Sequence, residues 1–170
     1  KDFQKKLKDG KYTFHLTEQL FNEDFPSHYC RKIKSISITI PAVVGPYQNL
    51  PATLTQTSNR ILLTNDPEGR EFLKTGKTGS HKNVRSDWRK QQKIAISKAV
   101  NDSGLFELNF HDERYLPFEG TGAVSDWELE MCGSNEDVLD TVSDVIIHIK
   151  YTALDGGETF KSKVLAQQLV

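Results

Sequence analysis

The amino-acid sequence predicts a mainly β protein, an antiparallel β-sandwich of about seven or eight strands, with short helices at the termini and in one long loop. First, short segments of alternating apolar and polar residues recur along the chain, separated by turn residues. Second, the regular alternation of strand and helix that is typical of a doubly wound sheet is missing from the pattern. Third, a length of 170 residues, with 36% hydrophobic and 26% charged residues, fits one folded domain.

The clearest strand is residues 31–40, where Ile36, Ile38 and Ile40 share one face and hydroxyl residues share the other. Ile33 is out of phase with these isoleucines, which predicts a bulge near Lys34. The same period of two predicts further strands at 11–16, 52–57, 60–64, 92–100, 105–110, 122–131 and 143–151.

Turn residues predict how some of these strands are joined. We expect 52–57 and 60–64 to form a hairpin around Ser58-Asn59, and 92–100 and 105–110 to form a second hairpin. Residues 65–87 are poor in apolar side chains and predict a long, mobile surface loop. Residues 133–141 predict an acidic turn.

Helices are expected mainly near the ends of the chain. Residues 1–9 are typical of the end of an incoming helix or linker, and residues 10–170 form the β-domain. Thr17 predicts the start of a short helical turn that ends before Pro26, and 159–168 predict a short amphipathic helix.

The charges are divided unevenly along a chain whose net charge is −1. Residues 70–98 hold nine Lys and Arg against two acids, and residues 101–144 hold twelve acids against one arginine. This division favours a charged foreign partner, or a second copy placed head to tail with basic on acidic surface. Alternatively, the two segments neutralise each other within one fold. The net charge argues against nucleic-acid binding, and no stretch approaches the ~20 apolar residues of a membrane span.

Motifs that would carry chemistry are incomplete, so no enzyme, cofactor or metal is predicted. Gly76-Lys77-Thr78 lacks the earlier glycine of a phosphate-binding loop, because Glu71 stands at that position. Gly120-Thr121-Gly122 favours a turn and a bulge rather than a dinucleotide site. The five histidines are scattered, and Cys30 and Cys132 fit either two buried thiols or one bridge.

Two sets of residues are candidates for binding a partner. Tyr115, Leu116 and Phe118 are large apolar groups on a loop, where they form either a plug over the sandwich end or a binding anchor. A second set, a possible basic rim, consists of Arg85, Trp88 and Arg89. An exposed Trp88 could also stack on sugars, so a carbohydrate-binding β-sandwich that recognises host glycans is the alternative function. Trp127 lies on a strand and is assigned to the core.

Several segments, in the same order along nearly the whole chain, resemble a known family. They include DFP at 24–26, HYCR at 28–31, PAVVGPY at 41–47, SGLFEL at 103–108 and ERYLPFEGTGAVS at 113–125. These segments resemble the C-terminal B-subunit-binding domain of the A subunit (TcA) of bacterial Tc (toxin complex) insecticidal toxins. Residues 65–85 and 132–140 match least.

The resemblance implies a non-catalytic docking and assembly domain. In such a toxin, which is secreted or displayed at the bacterial surface, five A subunits form a homopentamer. The five copies of this domain would form a funnel at the channel entrance. There the β-propeller of the B subunit, part of the B–C cocoon, would dock and the toxic cargo would enter the translocation channel. The resemblance implies no cofactor, no nucleic acid and no direct membrane insertion by this domain.

Overall fold

Two antiparallel sheets form the fold of the part of the chain that the computed structural model describes, residues 10–41, 51–75, 79–89, 92–96, 105–108, 117–131 and 136–168. The strands are β1 (Lys11–Leu16), β2 (His28–Pro41), β3 (Ala52–Leu62), β4 (Val84–Ser86), β5 (Lys93–Ile96), β6 (Leu105–Leu108), β7 (Val124–Met131) and β8 (Ile146–Asp155). The helices are α1 (Glu18–Asp24), α2 (Pro67–Lys74), α3 (Glu136–Thr141) and α4 (Gly157–Gln168). The predicted class, a mainly β sandwich with short helices, is confirmed.

The first sheet has the order β1-β7-β3-β4, and β5 also pairs with β3. The second sheet has the order β6-β2-β8. The alternation along the strands explains the core between them. In β2, Ile36, Ile38 and Ile40 are buried, and in β7 the buried side chains include Trp127 and Leu129. The assignment of Trp127 to the core is therefore confirmed.

The two long strands carry bulges that sequence reasoning treated differently. The register of β2 against β8 shifts between Ile33 and Ser35, as predicted. The predicted hairpin at Ser58-Asn59 is wrong, because 52–62 form the single strand β3 with a register shift between Gln56 and Ser58. β7 pairs with β3 on both sides of this bulge, and both Ser58 and Asn59 lie within the pairing, so the strand continues through them and the unpaired extra residue is Thr57.

The second predicted hairpin is also wrong. β5 pairs with β3 in the first sheet, whereas β6 pairs with β2 in the second. Alternation identified both strands, but it carries no information on which neighbour supplies the hydrogen bonds. Two strands close in sequence therefore belong to opposite layers.

Two segments that were predicted as a mobile surface loop and an acidic turn contain helices. Within 65–87, Asp66 accepts hydrogen bonds from the backbone of Glu68 and Gly69, and Pro67 opens α2. β4 follows in the same segment, so the predicted mobile loop is wrong over these residues, although α2 agrees with the short helix that the predicted fold class placed in one long loop. Within 133–141, residues 136–141 form α3. The predicted helical turn after Thr17 and the C-terminal helix are confirmed as α1 and α4. Residues 1–9 lie outside the described residues.

Candidate partner-binding site

The loop after β4 is held in a fixed backbone conformation. Asp87 and Arg89 both have φ of 54, in the left-handed region that non-glycine residues rarely adopt. The backbone N–H of Asp87 donates to the carbonyl of Asn59 over 2.6 Å, and Asn59 Nδ2 donates to the carbonyl of Trp88 over 2.9 Å. Asn59 is itself buried. The loop is thus anchored by two hydrogen bonds to Asn59 of β3, which offset its strained backbone.

Trp88 and two arginines form an exposed cluster on this loop, which we call the Trp88 platform (Arg85, Trp88 and Arg89). The Cζ atoms of Arg85 and Arg89 lie 6.0 and 4.7 Å from the Trp88 ring centroid, within cation–π range. The indole is 38% exposed and both arginines are exposed. The structure therefore brings together the three residues of the predicted basic rim. Their binding to a partner remains a prediction.

A glycine-containing turn supports the platform. Gly120 has φ of +77, and a Cβ at this position would lie 3.1 Å from Trp88 Cζ3, so a side chain would press on the indole. Gly122 makes a closer approach, because its Cβ would lie 2.2 Å from the carbonyl oxygen of Arg60. Asn59 Oδ1 accepts from the N–H of Gly122 over 3.1 Å, so Asn59 bonds to this turn and to the platform loop at once.

Phe118 corrects part of the anchor prediction. It is only 1% exposed and packs edge-on against Trp127, with the ring centroids 4.8 Å apart. It is therefore a core residue, as the plug alternative requires, and is not a surface anchor. Its backbone has a positive φ of 65, and its N–H donates to Gln92 Oε1 over 3.1 Å. Tyr115 and Leu116 lie outside the described residues.

The same turn joins the platform to the second sheet. Ile33 of β2 donates its N–H to the carbonyl of Thr121 over 2.8 Å and accepts from the N–H of Gly120 over 2.8 Å. Ala123 donates to the carbonyl of Arg31 over 3.1 Å. These bonds link the turn that supports Trp88 to β2, so the platform is connected to both sheets.

A buried polar network, which sequence reasoning missed, lies beside this end of β2. Arg31 Nη1 donates to Glu18 Oε1 over 2.7 Å, and Arg31 Nη2 donates to Asn22 Oδ1 and to the carbonyl of Phe25, both over 2.9 Å. Both partners of the ion pair are almost fully buried. Removing one partner of such a buried pair is destabilising, because the other charge is then buried without compensation. No spacing in the sequence distinguishes Glu18 from a surface glutamate at a helix start.

A second polar cluster lines a pocket of about 240 Å³ on the first sheet. His15 Nδ1 lies 2.6 Å from Asp126 Oδ1, and the Ser58 hydroxyl donates to the other oxygen of Asp126. Burial raises the pKa of Asp126, but hydrogen bonds from Ser58 and His15 outweigh it and leave the pKa below its ordinary value. The hydroxyl bonds to the carboxylate and not to the imidazole, so these residues do not form an activated nucleophile.

Other chemical features of the described residues are few. Among them, no group of three His, Cys, Asp or Glu side chains could hold a metal ion. No helix in the described part is both long and apolar enough to cross a membrane. Cys30 is a free thiol, and Cys132 lies outside the described residues.

Comparison with known proteins decides the family. The family model of the Tc toxin complex TcA C-terminal TcB-binding domain matches residues 2–153. The chain belongs to this family. It is 46% identical over 153 residues to Toxin subunit YenA2 of Yersinia entomophaga, a match that covers 89% of this chain and 11% of that protein. The chain thus corresponds to a small part of that relative's length.

A solved structure agrees with this membership. The cryo-EM structure of Yersinia pseudotuberculosis TcaA-TcaB is similar to the chain, with a TM-score of 0.51 and 29% identity. The match covers 84% of this chain and 7% of that one. The resemblance noted in the sequence to the TcB-binding domain of Tc toxin A subunits is therefore confirmed.

Proposed function

We propose that the chain is a non-catalytic docking domain through which a Tc toxin A subunit binds its B subunit, with the Trp88 platform in the contact. Membership of the TcB-binding family supports the role. The observation that carries the choice of surface is an exposed tryptophan flanked by two arginines on an anchored backbone. Trp and Arg are the residues enriched among those that dominate binding energy at protein interfaces.

The anchored backbone makes this surface suited to docking. Residues that are ordered only on binding reduce affinity, because their conformational entropy is lost in the complex. Asn59 already fixes the Trp88 backbone, and Gly120 lies directly against the indole edge. The two guanidinium groups add a positive field that attracts an acidic partner surface and makes association sensitive to salt.

The finer assembly is part of the proposal. Five copies would form a funnel at the channel entrance of a secreted A-subunit homopentamer, the β-propeller of the B–C cocoon would dock there, and cargo would enter the channel. The uneven charge of 70–98 against 101–144 supports a head-to-tail ring. Part of the acidic segment is neutralised within the chain, because Lys11 lies 3.1 Å from Glu128 and 3.8 Å from Glu130.

Glycan binding is the competing use of Trp88, and the geometry favours docking over it. A sugar stacks on an open aromatic face. The guanidinium of Arg89 lies over the indole, 4.7 Å from its centroid, and so occupies a face that a sugar would need. The same guanidinium leaves the cluster well suited to carboxylates on a protein surface.

The test compares three A subunits that carry this domain, the wild type, Trp88→Ala and the control Ile146→Ala. Ile146 is also an exposed apolar residue, but it lies on β8 in the other sheet. We expect Trp88→Ala to weaken binding of a B–C cocoon about 30-fold, which corresponds to ~2 kcal/mol for an interface hot spot. Interferometry at two salt concentrations measures this, and wild-type affinity should fall as salt rises.

Equal affinities for Trp88→Ala and wild type, with both proteins folded, would remove the platform from the interface. Loss of binding in Ile146→Ala as well would show that the assay reports general damage. A glycan array with hits that disappear in Trp88→Ala would favour the carbohydrate-binding alternative.

A further inference from the structure

Helix α4 leaves the sandwich through a sharp turn at two glycines. A Cβ at Gly156 would lie 2.6 Å from Phe160 Cδ1, so only glycine lets that ring pack against the turn. Gly157 has φ of +77, and its N–H donates to Asp155 Oδ1 over 3.0 Å. The turn therefore ends β8 at Asp155 and starts α4 at Gly157.

The apolar side of α4 completes a second, smaller core. Phe160 and Val164 are buried there, and Val164 is 1% exposed. The Phe160 ring lies edge-on to Tyr29, with centroids 6.1 Å apart. The other buried members of this cluster come from β3, α2 and β4, and they are Leu62, Leu73 and Val84. α4 thus shares a core with apolar side chains of β3, α2 and β4, and β4 carries Arg85 of the Trp88 platform.

Polar bonds fasten α4 to α2. Arg70 Nη1 donates to Gln167 Oε1, and Lys74 Nζ donates to the carbonyl of Gln167 over 2.9 Å. Arg70 is 1% exposed, and within the described residues its Nε has no hydrogen-bond partner. Gln167 is therefore important for the solvation of a buried cation, because leaving such a group unpaired is costly.

A continuous set of contacts leads from α2 to the platform. Asp66, which caps α2, accepts from Asn83 Nδ2 over 2.8 Å, and the carbonyl of Asn83 accepts from the N–H of Leu63 over 2.8 Å. The next residue, Val84, opens β4 and pairs with Leu62. Arg85 is the next residue of β4, so a shift of α2 or β4 would displace Arg85 and with it the platform.

The family match and α4 do not overlap. The family model ends at residue 153, and α4 begins at Gly157. The matched range therefore does not include α4, which bonds to α2 and shares the small apolar core with Val84 of β4.

We propose that α4 is a strap that holds α2 and β4 in place and thereby positions the Trp88 platform for docking. α4 acts through α2 and β4, and β4 carries Arg85, so α4 is a positioning element and need not touch the partner. The proposal rests on the proposed function for the purpose of the platform. The strap itself can be tested with no partner present.

The variant Val164→Asp places a carboxylate in the small apolar core and should detach α4 from it. The matched control is Leu165→Asp on the same helix. Leu165 is 42% exposed, so the control adds the same charge without burying it. Two measurements follow the platform, namely acrylamide quenching of tryptophan fluorescence and backbone hydrogen exchange. The chain has two tryptophans, and Trp127 is buried, so quenching reports Trp88.

We expect Val164→Asp to speed exchange of residues 84–89 about tenfold, a change typical of a local loss of stability, while 124–131 in β7 stay protected. Quenching should rise in parallel, and Leu165→Asp should match wild type. Faster exchange in α4 with no change at 84–89 would overturn the proposal.

If Val164→Asp also loses the protection of β7 against hydrogen exchange, the variant is globally unfolded and does not test the strap. The variant Gln167→Ala then tests it instead. That variant removes only the side-chain acceptor of Arg70, and faster exchange of 67–74 and 84–89 supports the strap, whereas unchanged exchange overturns it. Cocoon binding separates the two proposals. If the strap variants loosen 84–89 but Trp88→Ala binds normally, the strap stands and the docking role of the platform fails.

Discussion

Replacing Glu18 with Gln should destabilise the protein strongly, although the two side chains have nearly the same shape. Glu18 is 2% exposed and receives the 2.7 Å bond from Arg31 Nη1. Its charge also acts on Arg70, a second buried arginine whose pKa is lowered first by burial and raised in part by Glu18. Glu18→Gln therefore leaves buried Arg31 without its ion-pair partner, and it removes one of the two carboxylates, Glu18 and Glu71, that raise the pKa of Arg70.

The expected cost follows from what is known of buried pairs. Removing one partner of such a pair costs about 3–5 kcal/mol, because the other charge stays buried without compensation. For a domain of this size, 3 kcal/mol lowers the melting temperature by roughly 6–12 °C. This is a large share of a total stability of ~5–15 kcal/mol.

Urea unfolding followed by the fluorescence of buried Trp127 measures the change, with Glu23→Gln as the control. Glu23 is exposed on the same helix, so its neutralisation should change the free energy of unfolding by less than about 0.5 kcal/mol. A loss below about 1 kcal/mol for Glu18→Gln would refute the reasoning, since it would mean that water or rearrangement compensates the buried arginines.

Two further substitutions test the turn and the cap of α2. Gly122→Ala should lower the free energy of unfolding by several kcal/mol in urea titrations, because its Cβ would lie 2.2 Å from the carbonyl oxygen of Arg60; a stable variant would contradict this close approach. Asp66→Ala should cost about 1 kcal/mol through the lost helix cap, and Asp66→Asn should cost less at pH 7. The hydrogen bond from Asn83 holds the pKa of Asp66 below its ordinary value, so its charge stabilises the fold above pH ~4 and the benefit disappears as the pH falls through the lowered pKa. Stability of Asp66→Asn between pH 5 and 2 should thus depend less on pH than that of wild type, and equal slopes would contradict this assignment.

Local alternation predicted the strands well because burial on one face imposes a period of two. β1, β2 and β7 are close to their expected bounds, and the bulge near Lys34 was visible as a break of phase. Pairing partners were not predictable in the same way. The order β6-β2-β8 depends on contacts between segments that are distant in sequence. The residues within β5 or β6 do not indicate which strand each of them pairs with.

The misses at the candidate site have specific physical causes. Asp66-Pro67 is a recognisable helix start, but the polar composition of 65–87 concealed it. Phe118 was assigned to two alternatives because an apolar loop residue can point in or out, and only the tertiary packing against Trp127 decides that it points in. The Trp88 platform was predictable as a set of residues, whereas its anchoring by Asn59 depends on tertiary packing.

If the B subunit covers the Trp88 platform, hydrogen-exchange footprinting of the A subunit with and without a bound B–C cocoon will detect it. We expect slower exchange at 84–89 and 117–120 on binding, while 146–155 on β8 are unchanged. Unchanged exchange at 84–89, together with new protection elsewhere in the domain, would mean that the B subunit docks on another surface.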